Sequence, residues 1–149
     1  MIVTFCGHSY SVLNDTQKQE LKSILVKIMQ NNPNCIFYLG GYGAFDHICL
    51  NILSQLKPNY PNVEILFVSP YLNDKYIKNK TNMMPYDGSI YPPIESSPLK
   101  FAILKRNEWM IKNSNLLICY VANKFGGAFN CYEYAIKQKT PIINIASIK

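Results

Sequence analysis

Several segments of this chain stay apolar on consecutive residues instead of alternating, and stretches with helical spacing separate them. A strand of that kind needs cover on both faces, which a parallel sheet flanked by helices supplies. Strands are expected at Ile2–Cys6, Cys35–Leu39, Val63–Ser69, Leu116–Ala122 and Pro141–Ile145. Helices are expected at Asp15–Gln30, Ala44–Leu56, Leu99–Asn113 and Ala128–Lys139. Right-handed crossovers between them give a doubly wound, three-layer α/β domain. Its sheet is five-stranded and mainly parallel, in the order 3-2-1-4-5. One domain covers residues 1–149, without internal repeats. The irregular part is 73–97, rich in Asn, Lys, Tyr and Pro, which reads as a long ordered flap.

Two glycine pairs sit where a strand hands over to a helix. The first, Leu39-Gly40-Gly41-Tyr42-Gly43-Ala44-Phe45-Asp46, follows Cys35-Ile36-Phe37-Tyr38. The second, Gly126-Gly127-Ala128-Phe129-Asn130-Cys131-Tyr132-Glu133, comes shortly after Leu116-Leu117-Ile118-Cys119-Tyr120-Val121. Glycine lets the backbone approach a ligand closely, and the helix that follows offers free N–H groups with a partial positive charge. Both turns together point to a phosphate-bearing molecule held across the top of the sheet.

Composition narrows the classes. No apolar stretch is long enough to span a membrane, and Met1-Ile2-Val3-Thr4-Phe5 begins a strand rather than a signal peptide. The five cysteines are odd in number, scattered and free of CxxC spacing, which favours reduced thiols in a cytoplasm over a disulfide framework or zinc site. With two histidines and no matching carboxylate or thiolate spacing, neither a metal nor a resident cofactor is expected. A net charge of +6 attracts anions, nucleotides first and nucleic acid second, although lysines scattered over a surface give the same total.

Two charged residues fall on apolar stripes. Arg106 lies three residues after Ile103 and four before Met110, on a stripe with Leu99, Ala102 and Trp109. Glu133 lies among Phe129, Tyr132 and Ile136. A buried charge without a partner costs several kcal/mol, so each needs a counter-charge or a ligand. Either the two pair with each other, or both face the crevice at the carboxyl ends of the strands, where doubly wound folds bind ligands.

Taken together, Val3-Thr4-Phe5-Cys6-Gly7-His8, the Gly40-to-Asp46 turn and Arg106-Asn107-Glu108-Trp109-Met110 before the second glycine pair resemble the SLOG superfamily. That group joins the DprA/Smf DNA-processing proteins, the YpsA-like proteins and the LOG phosphoribohydrolases. The resemblance runs nearly end to end, is nearest to the small YpsA-like branch, and implies a Rossmann-like fold. The LOG enzymes cleave the N-glycosidic bond of nucleoside monophosphates with a Gly-Gly-x-Gly-Thr-x-x-Glu motif and an arginine on the preceding helix. Aligned on its glycines, that motif falls on Gly126, Gly127 and Glu133, and the arginine on Arg106. Phe125, Phe129 and Asn130 replace its leading proline, third glycine and threonine, and Ser9 stands where the YpsA-like opening has arginine.

The resemblance implies that Arg106 clamps a phosphate or ribose hydroxyl and that Glu133 stabilises positive charge on the ribose or holds the attacking water. Gly7, His8, Asn107, Gly126 and Gly127 are further ligand candidates. Gly40, Gly41 and Gly43 offer backbone N–H groups. Asp46 either supports the helix dipole or contacts a ribose hydroxyl. His8 is equally an ordinary strand-end residue, His47 an exposed one, and Trp109 a core one. Tyr86 and Tyr91 either stack on a base or plug the long loop against the core. Three functions compete: a nucleotide-binding or sensing domain, a nucleotide N-glycosidase of the LOG kind, and a DNA-binding accessory of the DprA kind. For the last, Lys75, Lys78 and Lys80 form the only dense basic cluster. The SLOG resemblance also implies a homodimer, with the aromatics of 84–93 available to bury against a second copy.

Overall fold

The computed structural model describes residues 1–148. Six strands run through it: β1 (Ile2–Gly7), β2 (Ile36–Leu39), β3 (Glu64–Val68), β4 (Gly88–Ile90), β5 (Leu116–Tyr120) and β6 (Ile142–Asn144). They form one sheet in the order β4-β3-β2-β1-β5-β6, with each pairing parallel. Five helices connect them: α1 (Asp15–Asn31), α2 (Ala44–Leu56), α3 (Asp74–Met83), α4 (Ala102–Lys112) and α5 (Gly126–Lys137). The three-layer parallel α/β class is as expected, and the five anticipated strands keep their relative order.

Register assigns the two faces. Val3 lies beside Phe37 and Leu116, and these side chains point to one layer with Phe5, Ile65 and Ile118. Leu21, Leu25 and Met29 of α1, at helical spacing, pack there with Cys49, Leu50 and Leu53 of α2. Truncating any of these fully buried leucines to alanine costs about 2–5 kcal/mol. On the opposite face, Thr4 lies beside Tyr38 and Leu117. Met110 of α4 packs with Tyr38 and Val68, and Ala128, Cys131 and Ala135 of α5 pack with Leu117, Cys119 and Val121.

Two expectations need correcting. The 73–97 segment is not only a flap: it carries α3 and the edge strand β4, making the sheet six-stranded. α3, which starts on an Asn73 cap, buries no residue and is mostly polar, so few apolar side chains mark it; β4, only 3 residues long, is too short to alternate. The second concerns α5, whose inward stripe is Ala128, Cys131 and Ala135. These small side chains let the helix sit close to the sheet, leaving Phe129 and Tyr132 half-buried at its flank and Ile136 exposed. The larger apolar residues suggested a stripe rotated from the true one.

Candidate functional site

From β1 the chain runs outward through β2 and β3 to β4, then returns to place β5 on the other side of β1. That reversal opens a crevice at the carboxyl ends of β1 and β5. It measures about 330 Å³, and its walls include Gly7, His8, Gly40, Asp46, Arg106, Asn107, Gly126 and Gly127. Both glycine turns therefore reach the same cavity.

Arg106 is 3 % exposed and forms the crevice floor from α4. Its Nη1 donates to the carbonyls of Gly40 and Val68, both at 2.8 Å, and its Nε donates to Asn107 Oδ1 at 2.8 Å. These carbonyls lie at or just beyond the carboxyl ends of β2 and β3, so the guanidinium ties the edge of the sheet to α4. Nη2 has no hydrogen-bond partner among the described residues and remains available to a ligand. Burial pulls the guanidinium pKa down and the nearby Asp46 charge partly restores it. Gly40 is required by this contact: a β-carbon there would lie 2.7 Å from Arg106 Cζ.

Asp46, in the first turn of α2, directs Oδ2 back to the N–H groups of Gly40 (2.9 Å) and Gly41 (3.1 Å). The anion seat of the first glycine turn is thus filled by the protein's own carboxylate. Burial raises the Asp46 pKa to about 6, against the opposing pull of Arg106 and the backbone N–H donors. Gly41 and Gly43 face the other side of the turn, lining a separate pocket with Lys80 and Tyr86. Lys80 Nζ donates to the Gly41 carbonyl at 2.9 Å.

His8 Nε2 accepts from the backbone N–H groups of Ala122 (3.0 Å) and Asn123 (3.3 Å), which requires that nitrogen to be unprotonated. The ring therefore stitches the end of β1 to the loop after β5 while still bordering the crevice.

The second glycine turn is built differently. α1 and α3 are capped by Asn14 and Asn73, and at α2 the Ala44 N–H donates to Ser9 O. α5 begins at Gly126 (φ 88°), with Phe125 before it and no side-chain cap. A β-carbon on Gly127 would meet nothing within 4 Å. The open, partially positive end of a 12-residue helix thus borders the crevice that holds Arg106.

Glu133 is exposed and lies outside the crevice, in a groove between α4 and α5 with Asn107, Glu108 and Lys137. It makes no ion pair with Arg106 among the described residues. Its expected inward position fails with the stripe that suggested it. Tyr86 packs at a tilt against Phe67 (ring centroids 5.4 Å apart) and Trp109 stacks on Tyr38 (5.6 Å), so both rings pack internally. The crevice lining also includes residues that the sequence reading does not propose as ligand contacts, among them three exposed aromatics, Tyr10, Tyr42 and Phe125. The available signal was an aromatic in each loop that leaves β1, β2 or β5.

Among the described residues, no group of three or more His, Cys, Asp or Glu side chains is placed to hold a metal, and no helix is long and apolar enough to cross a membrane. All five cysteines are free thiols.

No protein-family model and no curated protein matches the chain. Solved structures do. DNA processing protein A from Helicobacter pylori, described with a single-stranded DNA binding mode, aligns with a TM-score of 0.63 at 20 % identity, over 97 % of this chain and 64 % of that one. DprA from Streptococcus pneumoniae aligns with a TM-score of 0.61 at 16 % identity, over 95 % of this chain and 49 % of its own. The molybdenum cofactor carrier protein from Chlamydomonas reinhardtii aligns with a TM-score of 0.61 at 14 % identity, over 98 % of this chain and 78 % of its own. This chain therefore spans less than two thirds of either DprA chain. The chain thus shares with these proteins a three-layer α/β fold on a parallel sheet.

Proposed function

We propose that the chain is a binding domain for a phosphorylated small molecule, a nucleotide or nucleotide derivative, with a sensing or processing role in the cytoplasm and as a homodimer. The observation that carries this reading is the meeting of a buried arginine, with Nη2 free, and the uncapped N-terminus of α5 in one crevice. A tetrahedral anion there receives helix N–H donors and a charge-assisted guanidinium contact. The first glycine turn contributes shape instead, because Asp46 already takes its Gly40 and Gly41 N–H groups.

Binding is favoured over N-glycosidic cleavage. Hydrolysis of the LOG kind needs a carboxylate at the ribose, and Glu133 is exposed in the neighbouring groove. Misplacing a catalytic group by about 1 Å costs on the order of a hundredfold in rate. A DNA-binding role draws on the two DprA neighbours and the +6 charge. Against it, Lys75, Lys78 and Lys80 lie on α3, outside the crevice lining, and Lys80 is engaged with Gly41.

Titration calorimetry with nucleoside monophosphates and ribose 5-phosphate tests the reading. Wild-type protein should bind at least one of them. Arg106→Lys, which keeps the charge but loses the planar fork, should bind about tenfold more weakly. Glu133→Gln should bind as the wild type does. Absence of binding by every phosphorylated compound refutes the proposal, and release of free base that disappears in Glu133→Gln replaces it with the hydrolase.

A further inference from the structure

We propose that Tyr10, Tyr42 and Phe125 form an aromatic rim that stacks on the base of the ligand, so the crevice selects phosphorylated molecules carrying a planar ring. The inference rests on the nucleotide-binding reading above and names the residues that hold the base, which that reading leaves open.

Tyr10 is 93 % exposed, Tyr42 67 % and Phe125 71 %. Each comes from a different loop, after β1, β2 and β5 respectively, yet all three border this one crevice. Among the described residues the one other exposed aromatic is Phe101, at 42 %, which carries Lys100 over its ring. An isolated exposed aromatic needs no explanation, but three converging on one cavity mark a binding surface. None of them supports the fold: the tyrosine hydroxyls make no hydrogen bond among the described residues, and none of the three rings belongs to a core cluster.

The polarity of the crevice matches such a ligand from end to end. Arg106, Asp46 and the α5 N-terminus supply the charged and hydrogen-bonding part, while the rim supplies π-faces. A nucleotide has the same division, with phosphate at one end and a flat, poorly hydrated ring at the other. Stacking tolerates any base, because each has a π-face, so the rim selects for the presence of a ring above its identity. The cavity, about 330 Å³, lies at the small end of ligand sites and suits one such molecule.

The test compares AMP and CMP with ribose 5-phosphate by calorimetry, in wild type and in Tyr10→Ala, Phe125→Ala and Tyr10→Phe. These side chains are exposed, so the variants retain the fold. At least one nucleotide should bind about fivefold or more tightly than ribose 5-phosphate, the factor that one stacked ring carries. Tyr10→Ala and Phe125→Ala should shrink that preference, and Tyr10→Phe should keep it. Equal affinity for the nucleotides and ribose 5-phosphate overturns the rim while leaving the phosphate site standing. No binding by any of them removes both. A hexadeoxythymidylate that binds more tightly than the mononucleotides, with the same sensitivity to Phe125→Ala, keeps the rim and assigns its base to a single strand.

Discussion

Arg106 and Asp46 show how a charged floor is kept inside a small α/β domain. Neither forms a direct ion pair among the described residues; each is satisfied mainly by backbone, Arg106 by strand-end carbonyls and Asp46 by the glycine-turn N–H groups. The Asp46 pKa, raised from 3.8 to about 6, has a definite consequence for stability. Between those values the folded state binds more protons than the unfolded chain, so this residue's contribution to stability falls as pH rises from about 4 to 6 and is level above. Asp46→Asn retains an acceptor for Gly40 and Gly41 and removes the ionisation. In urea unfolding, the variant should therefore gain on wild type between pH 4 and pH 7, by up to on the order of 3 kcal/mol. A difference that stays constant with pH would mean that Asp46 ionises equally easily in both states. Thr4 offers a simpler case. Its Oγ1 is fully buried without a hydrogen-bond partner, on the sheet face that α4 and α5 cover. Valine has the same shape and no unmet polar group, so Thr4→Val should unfold at equal or higher urea concentration. A loss above about 1 kcal/mol would reveal a partner for that hydroxyl.

At the scale of elements, α5 separates function from stability. Gly127 sits in its first turn with open space around the position of a side chain. An aspartate there has better helix propensity and a favourable place in the macrodipole, together worth about 1 kcal/mol. Gly127→Asp should therefore raise Tm by about 2–4 °C while abolishing phosphate binding, since its carboxylate occupies the anion seat. Undiminished binding would exclude the α5 N-terminus as that seat. The same helix explains what the sequence could and could not disclose. β1, β2, β3 and β5 were legible because burial on both faces leaves continuous apolar runs, and α1 and α2 because their buried leucines keep helical spacing. The face of α5 was not, because its buried residues are alanine and cysteine while the bulky ones flank them. Glu133 was carried to the wrong side by that inversion. α3 and β4 were hard to see, one because it is mostly polar and the other because it is only 3 residues long. At the site, the glycine turns were visible from their positions at strand ends and Arg106 from its spacing with Ala102 and Met110, although Leu99 and Ile103, read on the same stripe, are exposed. That Asp46 fills the first turn, and that three loop aromatics meet, depends on contacts between distant segments, which spacing along one chain does not encode.

Considered as a whole, the molecule has a crevice at one edge of its sheet and a groove between α4 and α5. The reversal at β1 gathers the crevice at the carboxyl edge of the sheet. In α4, α5 and the turn before α4, Leu99, Phe101, Leu104 and Ile136 leave apolar side chains exposed. The aromatics of 84–93 are poorer candidates for assembly than the sequence suggested, since Tyr86 is spent on Phe67 and Tyr91 is half-buried. A homodimer is therefore expected to form through the α4–α5 flank. A two-fold contact places each residue in the interface twice, so one introduced charge is desolvated in both copies. Leu104 is 40 % exposed and lines the groove between the two helices, which makes it the position to alter without disturbing the core. Light scattering at high micromolar concentration should report a dimer for wild type and a monomer for Leu104→Glu, with the variant's circular dichroism unchanged. A wild-type monomer at that concentration would dismiss the dimer. A dimer that survives Leu104→Glu would move the contact off this flank and leave the apolar α4 surface to another partner.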